Sequence, residues 1–172
     1  MAEDLVRQSV LDRLIGADLV RGGGAEEGRP ARSWEESVQL LERNVLRDLE
    51  QLLNTRQVSE PAEAPHDHLA SSVYNYGLLD FANLSADAAG TADQIRRLIK
   101  EAIERFEPRL TDVEVVDPEE GEKTPKESIV RRRVRFRVEA TLRTDPDPEK
   151  VEFDTVLETT SKRFEVSVEP HA

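Results

Sequence analysis

The sequence has no cysteine, which excludes disulfides, thiolate zinc sites and cysteine nucleophiles together. Aromatic residues are few, with one Trp, two Tyr and five Phe in 172 residues, and they form no pattern of the kind that holds a substrate. No stretch approaches the roughly 18 consecutive apolar residues of a membrane helix. The start, Met1-Ala2-Glu3-Asp4, is acidic where a secretory signal is basic, so the expected setting is the cytoplasm, with no direct membrane insertion. Positive charge is outweighed: 24 Lys+Arg against 36 Asp+Glu give a net charge of −12. That balance disfavours nucleic acid, whose phosphates bind clustered Lys and Arg through counterion release, and it equally disfavours anionic lipid. Gly-x-Ser-x-Gly, Walker and dinucleotide glycine patterns are missing, and Gly22-Gly23-Gly24 does not lie between a strand and a helix. His66-Asp67-His68 in a proline-rich loop supplies two metal-ligand types without a third and fourth at motif spacing, and His171 stands apart. No cofactor and no metal are expected.

What is present is patterned apolar sequence divided by Gly and Pro. From Ser33 to Leu53, Trp34, Val38, Leu41, Val45, Leu49 and Leu52 recur at three- and four-residue steps, one face of a helix. Ser33 followed by Glu36 is a capping-box start. A second helix begins at Thr91, with Gln94 in the reciprocal capping position, carries Ile95, Leu98, Ile99, Ala102, Ile103 and Phe106 along one stripe, and is stopped by Pro108. Val134, Phe136, Val138, Ala140 and Leu142 then alternate with Arg133, Arg135, Arg137, Glu139 and Thr141, the period of a strand with one solvated face. Asp145-Pro146-Asp147-Pro148 turns the chain, and Val151, Phe153, Thr155 and Leu157 resume the alternation, so residues 130–158 read as a hairpin. Phe164, Val166 and Val168 make a further strand, and Val113 to Val116 a shorter one. The expected class is α+β: two main helices packed on one face of a mainly antiparallel sheet of three to four strands, with an N-terminal docking segment. Residues 1–32 hold that segment and its glycine-rich linker, and residues 33–172 a single domain. Leu5, Val6, Val10, Leu11, Leu14 and Ile15 suit a short amphipathic helix that packs on the domain or on a partner.

Three constellations could carry function. The basic strand Arg131-Arg132-Arg133, Arg135 and Arg137 reads as phosphate contact, as pairing with Glu152 and Asp154 of the next strand, or as a charged sheet edge. The segment from Ser72 to Phe81 gathers both tyrosines with Gly77, as in a packed turn where glycine takes a conformation others avoid. Glu107-Pro108-Arg109 is the sharpest oddity, because a glutamate at a helix C-terminus faces the negative end of the dipole. It reads as a local ion pair closing the helix, as a recognition tripeptide whose arginine makes forked hydrogen bonds to another chain, or as a general acid, which needs a second carboxylate at a defined separation. Taken as a surface charge, Arg109 should tolerate replacement by Ala without loss of folding.

The ordered set Ser9-Val10-Leu11-Asp12-Arg13-Leu14, Glu36-Ser37-Val38, Leu52-Leu53-Asn54-Thr55-Arg56, Ser72-Val73-Tyr74-Asn75-Tyr76-Gly77-Leu78, Phe106-Glu107-Pro108-Arg109-Leu110 and Val151-Glu152-Phe153-Asp154-Thr155 resembles the TssE family. These are baseplate subunits of bacterial type VI secretion, similar to the lysozyme-like baseplate wedge protein of contractile phage tails. The resemblance implies a structural subunit rather than an enzyme, placed in the cytoplasm within the membrane-docked baseplate. It implies contact with the wedge core bundle of TssF and TssG, with TssK as a further partner, and with the sheath subunits TssB and TssC. Glu107, Pro108 and Arg109 would meet the core bundle, and the late strands would template the first sheath ring by strand addition. The partner-binding candidates are Glu107, Pro108, Arg109, Asn75, Tyr76, Gly77, Arg135 and Arg137. The competing reading is a small peptidoglycan hydrolase with Glu107 as general acid.

Overall fold

The first long helix, α1 (Trp34–Asn54), starts where the Ser33 side chain accepts a hydrogen bond from the Glu36 N–H. It buries Leu41, Val45, Leu49, Leu52 and Leu53, the face its sequence period marks. The computed structural model describes residues 6, 8–14, 31, 33–58, 67–79, 90–118, 133–145 and 147–168. The glycine linker, Leu5, Ile15, His66, Asp80, Phe81, Arg131, Arg132 and His171 lie outside them. A short helix, α2 (Asp67–Ala70), and a 3-10 turn at Val73–Asn75 precede the second long helix, α3 (Thr91–Phe106).

The start of α3 corrects the sequence expectation. Gly90, in the left-handed region at φ 90°, is the N-cap, and Thr91 lies buried inside the first turn. Glycine adopts that backbone without the Cβ penalty other residues meet, so the chain enters the helix through geometry rather than a capping hydroxyl. Ile99 and Ile103 are fully buried on its inner face.

Four strands follow: β1 (Leu110–Val116), β2 (Arg133–Leu142), β3 (Glu149–Glu158) and β4 (Arg163–Ser167), all antiparallel in the order β1-β2-β3-β4. The helices α1 and α3 pack against each other, α1 against β4 and α3 against β1. Between them and the sheet lie Phe136, Val138, Ala140, Leu142, Val151, Phe153, Leu157, Phe164 and Val166. The expected α+β arrangement is therefore present, with the sheet an antiparallel meander.

β1 is longer than the expected 113–116. Its register with β2 shifts between Thr111 and Glu114, and Asp112 takes φ 53°. The extra residue of this bulge lets Leu110 and Val113, three apart, both turn inward. Strict alternation would send one of them to solvent.

β2 occupies an interior position, which excludes the sheet-edge reading of the basic strand. Arg137 donates from Nε to Asp154 at 3.1 Å and lies 3.8 Å from Glu152, so this arginine is paired across the ladder, as one sequence reading expects, while Glu139 stands opposite both Glu114 and Glu152. The actual edges are β1 and β4. On β4 the Asn54 carboxamide at the end of α1 receives the Phe164 N–H at 2.9 Å and donates to the Phe164 carbonyl at 2.9 Å. A side chain thus answers both backbone groups of one edge residue.

Ile99→Asp should unfold the domain, because an unpaired carboxylate at a fully buried position costs more than about 4 kcal/mol, a large part of a small domain's stability. Loss of far-UV circular dichroism and of a cooperative melt checks it; a native-like melt would place α3 differently.

Candidate functional site

α3 ends at Glu107, whose N–H still bonds to the Ile103 carbonyl at 2.8 Å while its backbone leaves the helical region. Pro108 then prevents continuation, and Leu110 begins β1. The sharp exit turns Arg109 back onto the helix end. Glu107 Oε1 accepts from Arg109 Nε at 2.6 Å and from its backbone N–H at 3.2 Å, and Oε2 accepts from Nη2 at 2.5 Å. The result is a two-pronged fork between a carboxylate whose residue is 5% exposed and a guanidinium whose side chain is 24% exposed.

The fork does not stand alone. Arg109 Nη2 also donates to Asp48 Oδ2 at 2.6 Å. Its neighbour Arg47 donates from Nη2 to Asp48 at 2.8 Å and to Asp12 Oδ1 at 2.7 Å. Asp12 Oδ2 accepts from the Ser9 hydroxyl at 2.7 Å and stands 3.9 Å from Arg109 Nη1. Two arginines and three carboxylates thereby join the N-terminal turn, α1 and the end of α3. Asp12 is 5% exposed; the sequence marked it only within the Ser9–Leu14 stretch of the resemblance, with no role assigned, and did not mark Arg47 or Asp48. The visible signals were an Arg-Asp pair inside the leucine-rich stripe of α1 and a lone acid in an otherwise apolar peptide.

Burial alone would favour a neutral Arg109; the hydrogen bond and charge of Glu107, then those of Asp48, outweigh it and raise its pKa, so the guanidinium stays charged. Burial likewise works against ionised Asp12, but hydrogen bonds from Ser9 and Arg47 and the charges of Arg47 and Arg109 hold its carboxyl below the usual range. Burial, with the charges of Asp48 and Glu107 added, pushes the Tyr76 phenol up. Tyr76 meets Phe106 edge to face, with ring centroids 5.3 Å apart.

The structure thus brings Tyr76 to the Glu107-Pro108-Arg109 turn. Its neighbours in sequence hold the loop in place. Asn75 is buried and donates to the Leu69 carbonyl at 3.0 Å. Gly77 has φ 108°, and a Cβ there would lie 2.4 Å from the Thr55 carbonyl oxygen. That contact is the close approach in which Leu78 N–H reaches the same carbonyl at 2.9 Å, so the Asn-Thr-Arg and Asn-Tyr-Gly stretches meet. Pro108 is exposed. Arg135 and Arg137 are elsewhere, lining a hollow of about 270 Å³ on the outer sheet face with Asp154, Val156, Ser167 and Pro118.

Chemically, this arrangement holds an arginine rather than activating an acid. Both Glu107 oxygens accept from Arg109, whose three hydrogen bonds occupy most of the carboxylate's acceptor capacity. Among the described residues no group of three or more His, Cys, Asp and Glu is placed to hold a metal ion. Nor is any described helix long and apolar enough to cross a membrane.

These features define a small α+β domain organised around a buried ion-pair turn. The family model of the baseplate wedge protein gp25 matches residues 39–147, a stretch that runs from α1 through the turn and Tyr76 into the β2–β3 loop. The chain belongs to that family. No curated protein matches it. Among solved structures it is similar to a chain of "The baseplate complex from the type VI secretion system", at 18% identity over 69% of this chain and 94% of that chain, with a TM-score of 0.42.

The geometry revises the expectation for Arg109. Arg109→Ala strands a buried Glu107 beside Asp48, and should lower stability by about 2–4 kcal/mol in urea unfolding, whereas a shift under about 0.5 kcal/mol, as for a surface substitution, would show that solvent already screens the fork. A second expectation concerns acid. Asp12, faced by Ser9, Arg47, Asp48 and Arg109, has a folded-state pKa below its unfolded one, so its contribution is complete above about the ordinary 3.8 and is lost as pH falls through the lowered value. Amide protection over residues 8–14, with exchange corrected for its intrinsic pH dependence, should therefore be unchanged between neutral pH and the ordinary aspartate range, and fall only in stronger acid.

Proposed function

We propose that the chain is a structural wedge subunit of a type VI secretion baseplate, acting in the cytoplasm within the membrane-docked complex. It links the core bundle of TssF and TssG, with TssK as a further contact, to the first ring of the TssB–TssC sheath. Family membership over residues 39–147 supports a baseplate role, and the ordered motifs of the TssE resemblance narrow it to type VI secretion. The observation that carries the reading is the Glu107–Arg109 fork. It fixes an arginine at the turn between α3 and β1 with its side chain still 24% exposed, the preorganised donor a protein partner uses and a hydrolase does not.

In this reading Arg109, Pro108 and Tyr76 face the core bundle, Glu107 orients Arg109, and Asn75 and Gly77 shape the loop that carries Tyr76. Residues 1–32 act as a docking segment beside the domain of residues 33–172. Arg135 and Arg137 belong to the sheath-facing side, where a sheath strand adds to a sheet edge. On β4 such a strand has to displace the Asn54 carboxamide from Phe164. The hydrolase reading lacks support from the site, since Glu107 is enclosed by its own arginine.

Affinity capture of the tagged chain from its native cells, beside an Arg109→Lys variant that keeps the charge but not the fork, tests this. Recovery of TssF, TssG, TssB and TssC by the wild type, reduced several-fold for the equally folded variant, is expected. Recovery of none, with cell-wall cleavage abolished by Glu107→Gln, would replace the assembly reading with the hydrolase.

A further inference from the structure

The outer face of the sheet carries a charge order that the single chain does not satisfy. There β2 presents Arg135, Arg137 and Glu139 opposite Val156, Asp154 and Glu152 of β3. The chain as a whole has a net charge of −12, yet acidic and basic side chains are equal in number on this face of the two strands. Arg137 is answered within the molecule by Asp154 and Glu152. Arg135 and Glu139 are exposed, and among the described residues neither makes a hydrogen bond or an ion pair. Glu139 is also the middle one of three glutamates on adjacent strands, between Glu114 and Glu152, an arrangement that lowers the stability of a sheet.

These unmatched charges are placed symmetrically. The hollow of about 270 Å³ beside Arg135 lies on one side of the Arg137–Asp154 pair, and the row of glutamates on the other. Arg135 and Glu139 each stand two residues from Arg137, about 7 Å along the strand. A two-fold axis running across the strands at Arg137–Asp154 therefore superposes the position of one on the other. It brings Arg135 of one copy against Glu139 of its mate, and Glu139 against the mate's Arg135. The same operation sets Lys150 against Glu158, since each lies four residues from Asp154. On the axis itself, one neutralised Arg137–Asp154 pair meets another.

We propose that this face is a self-complementary surface on which two copies of the chain pair about a two-fold axis at Arg137–Asp154, the hollow beside Arg135 of each copy receiving Glu139 of the other. The charge order selects a second copy. A polyanion would meet the glutamate row together with the arginines, and a uniformly basic partner would meet Arg135. Four short strands offer an area at the small end of specific interfaces, so the pairing depends on concentration and on salt. It stands independently of the assembly reading. Because Arg135 and Arg137 lie on the side given to the sheath above, it belongs to the unassembled subunit and keeps that side covered until assembly.

Sedimentation velocity on the full chain, over a concentration series up to several hundred micromolar at low and high salt, tests this. Arg135→Glu and Glu139→Arg are run singly, mixed in equal amounts, and combined in one chain, with melting recorded on each. A wild-type dimer that weakens with salt is expected, with at least about tenfold weaker association for either single variant. The mixture and the double variant should both recover it, because each restores opposite charges at every contact. The melting temperature of Glu139→Arg should not fall, since the change separates like charges on adjacent strands. Lys150→Glu, rescued by Glu158→Lys, gives the same readout at the outer contact. A wild type that stays monomeric throughout would overturn the inference, as would a dimer that the single variants leave unchanged, or one that neither the mixture nor the double variant restores. None of these outcomes bears on recovery of baseplate subunits, so the assembly reading stands or falls separately.

Discussion

The end of the domain where α3 meets β1 depends on a buried glutamate forked to an arginine two residues away. A carboxylate at the C-terminus of a helix is unfavourable by the helix dipole and by desolvation. It persists because Arg109 satisfies both oxygens, and Pro108 sets the turn that makes such a short-range fork possible. The same guanidinium then reaches Asp48 across 61 residues of sequence, so a local pair becomes the pin between α1 and the start of the sheet. Three carboxylates against two arginines would repel if spread over bare protein. Here each acid accepts from at least one arginine, and the arrangement favours one geometry over many.

That geometry explains a division of labour along the sheet. At one end the chain is held by charge, with little apolar contact to spare. In the middle, Phe136, Phe153 and Phe164 fill the space beneath α1 and α3, where large side chains bury most surface. The outer face of the sheet carries charges, among which Arg137 pairs with Asp154. A domain so acidic and so poor in aromatics therefore concentrates its apolar packing in one layer.

The helices and the inner face of β2 and β3 were legible in the sequence because burial there follows simple periods, and the tripeptide because Glu107 violates a dipole rule. Four things were not. Leu110 and Val113 both point inward across a bulge, which no period of two reveals. Gly90 rather than Thr91 caps α3, since a left-handed entry leaves no side-chain signature. Asp12, Arg47 and Asp48 are joined to Arg109 only by tertiary folding; in sequence they are ordinary charges, and their pairing is set by where α1 lies against the end of α3. The strand order, which moves the basic strand to the interior, is likewise a property of the whole meander.

The carboxamide of Asn54 has a role beyond fastening α1 to β4. With its donor and acceptor aligned on Phe164, it imitates one residue of a neighbouring strand. An open edge is a template for copies of itself, and chains that expose one drift into edge-to-edge aggregates. A surrogate strand one residue long is enough to interrupt that ladder while remaining far weaker than a real strand of five or six residues. The edge is therefore guarded against accidental neighbours at Phe164 by a side chain that costs the fold no extra strand.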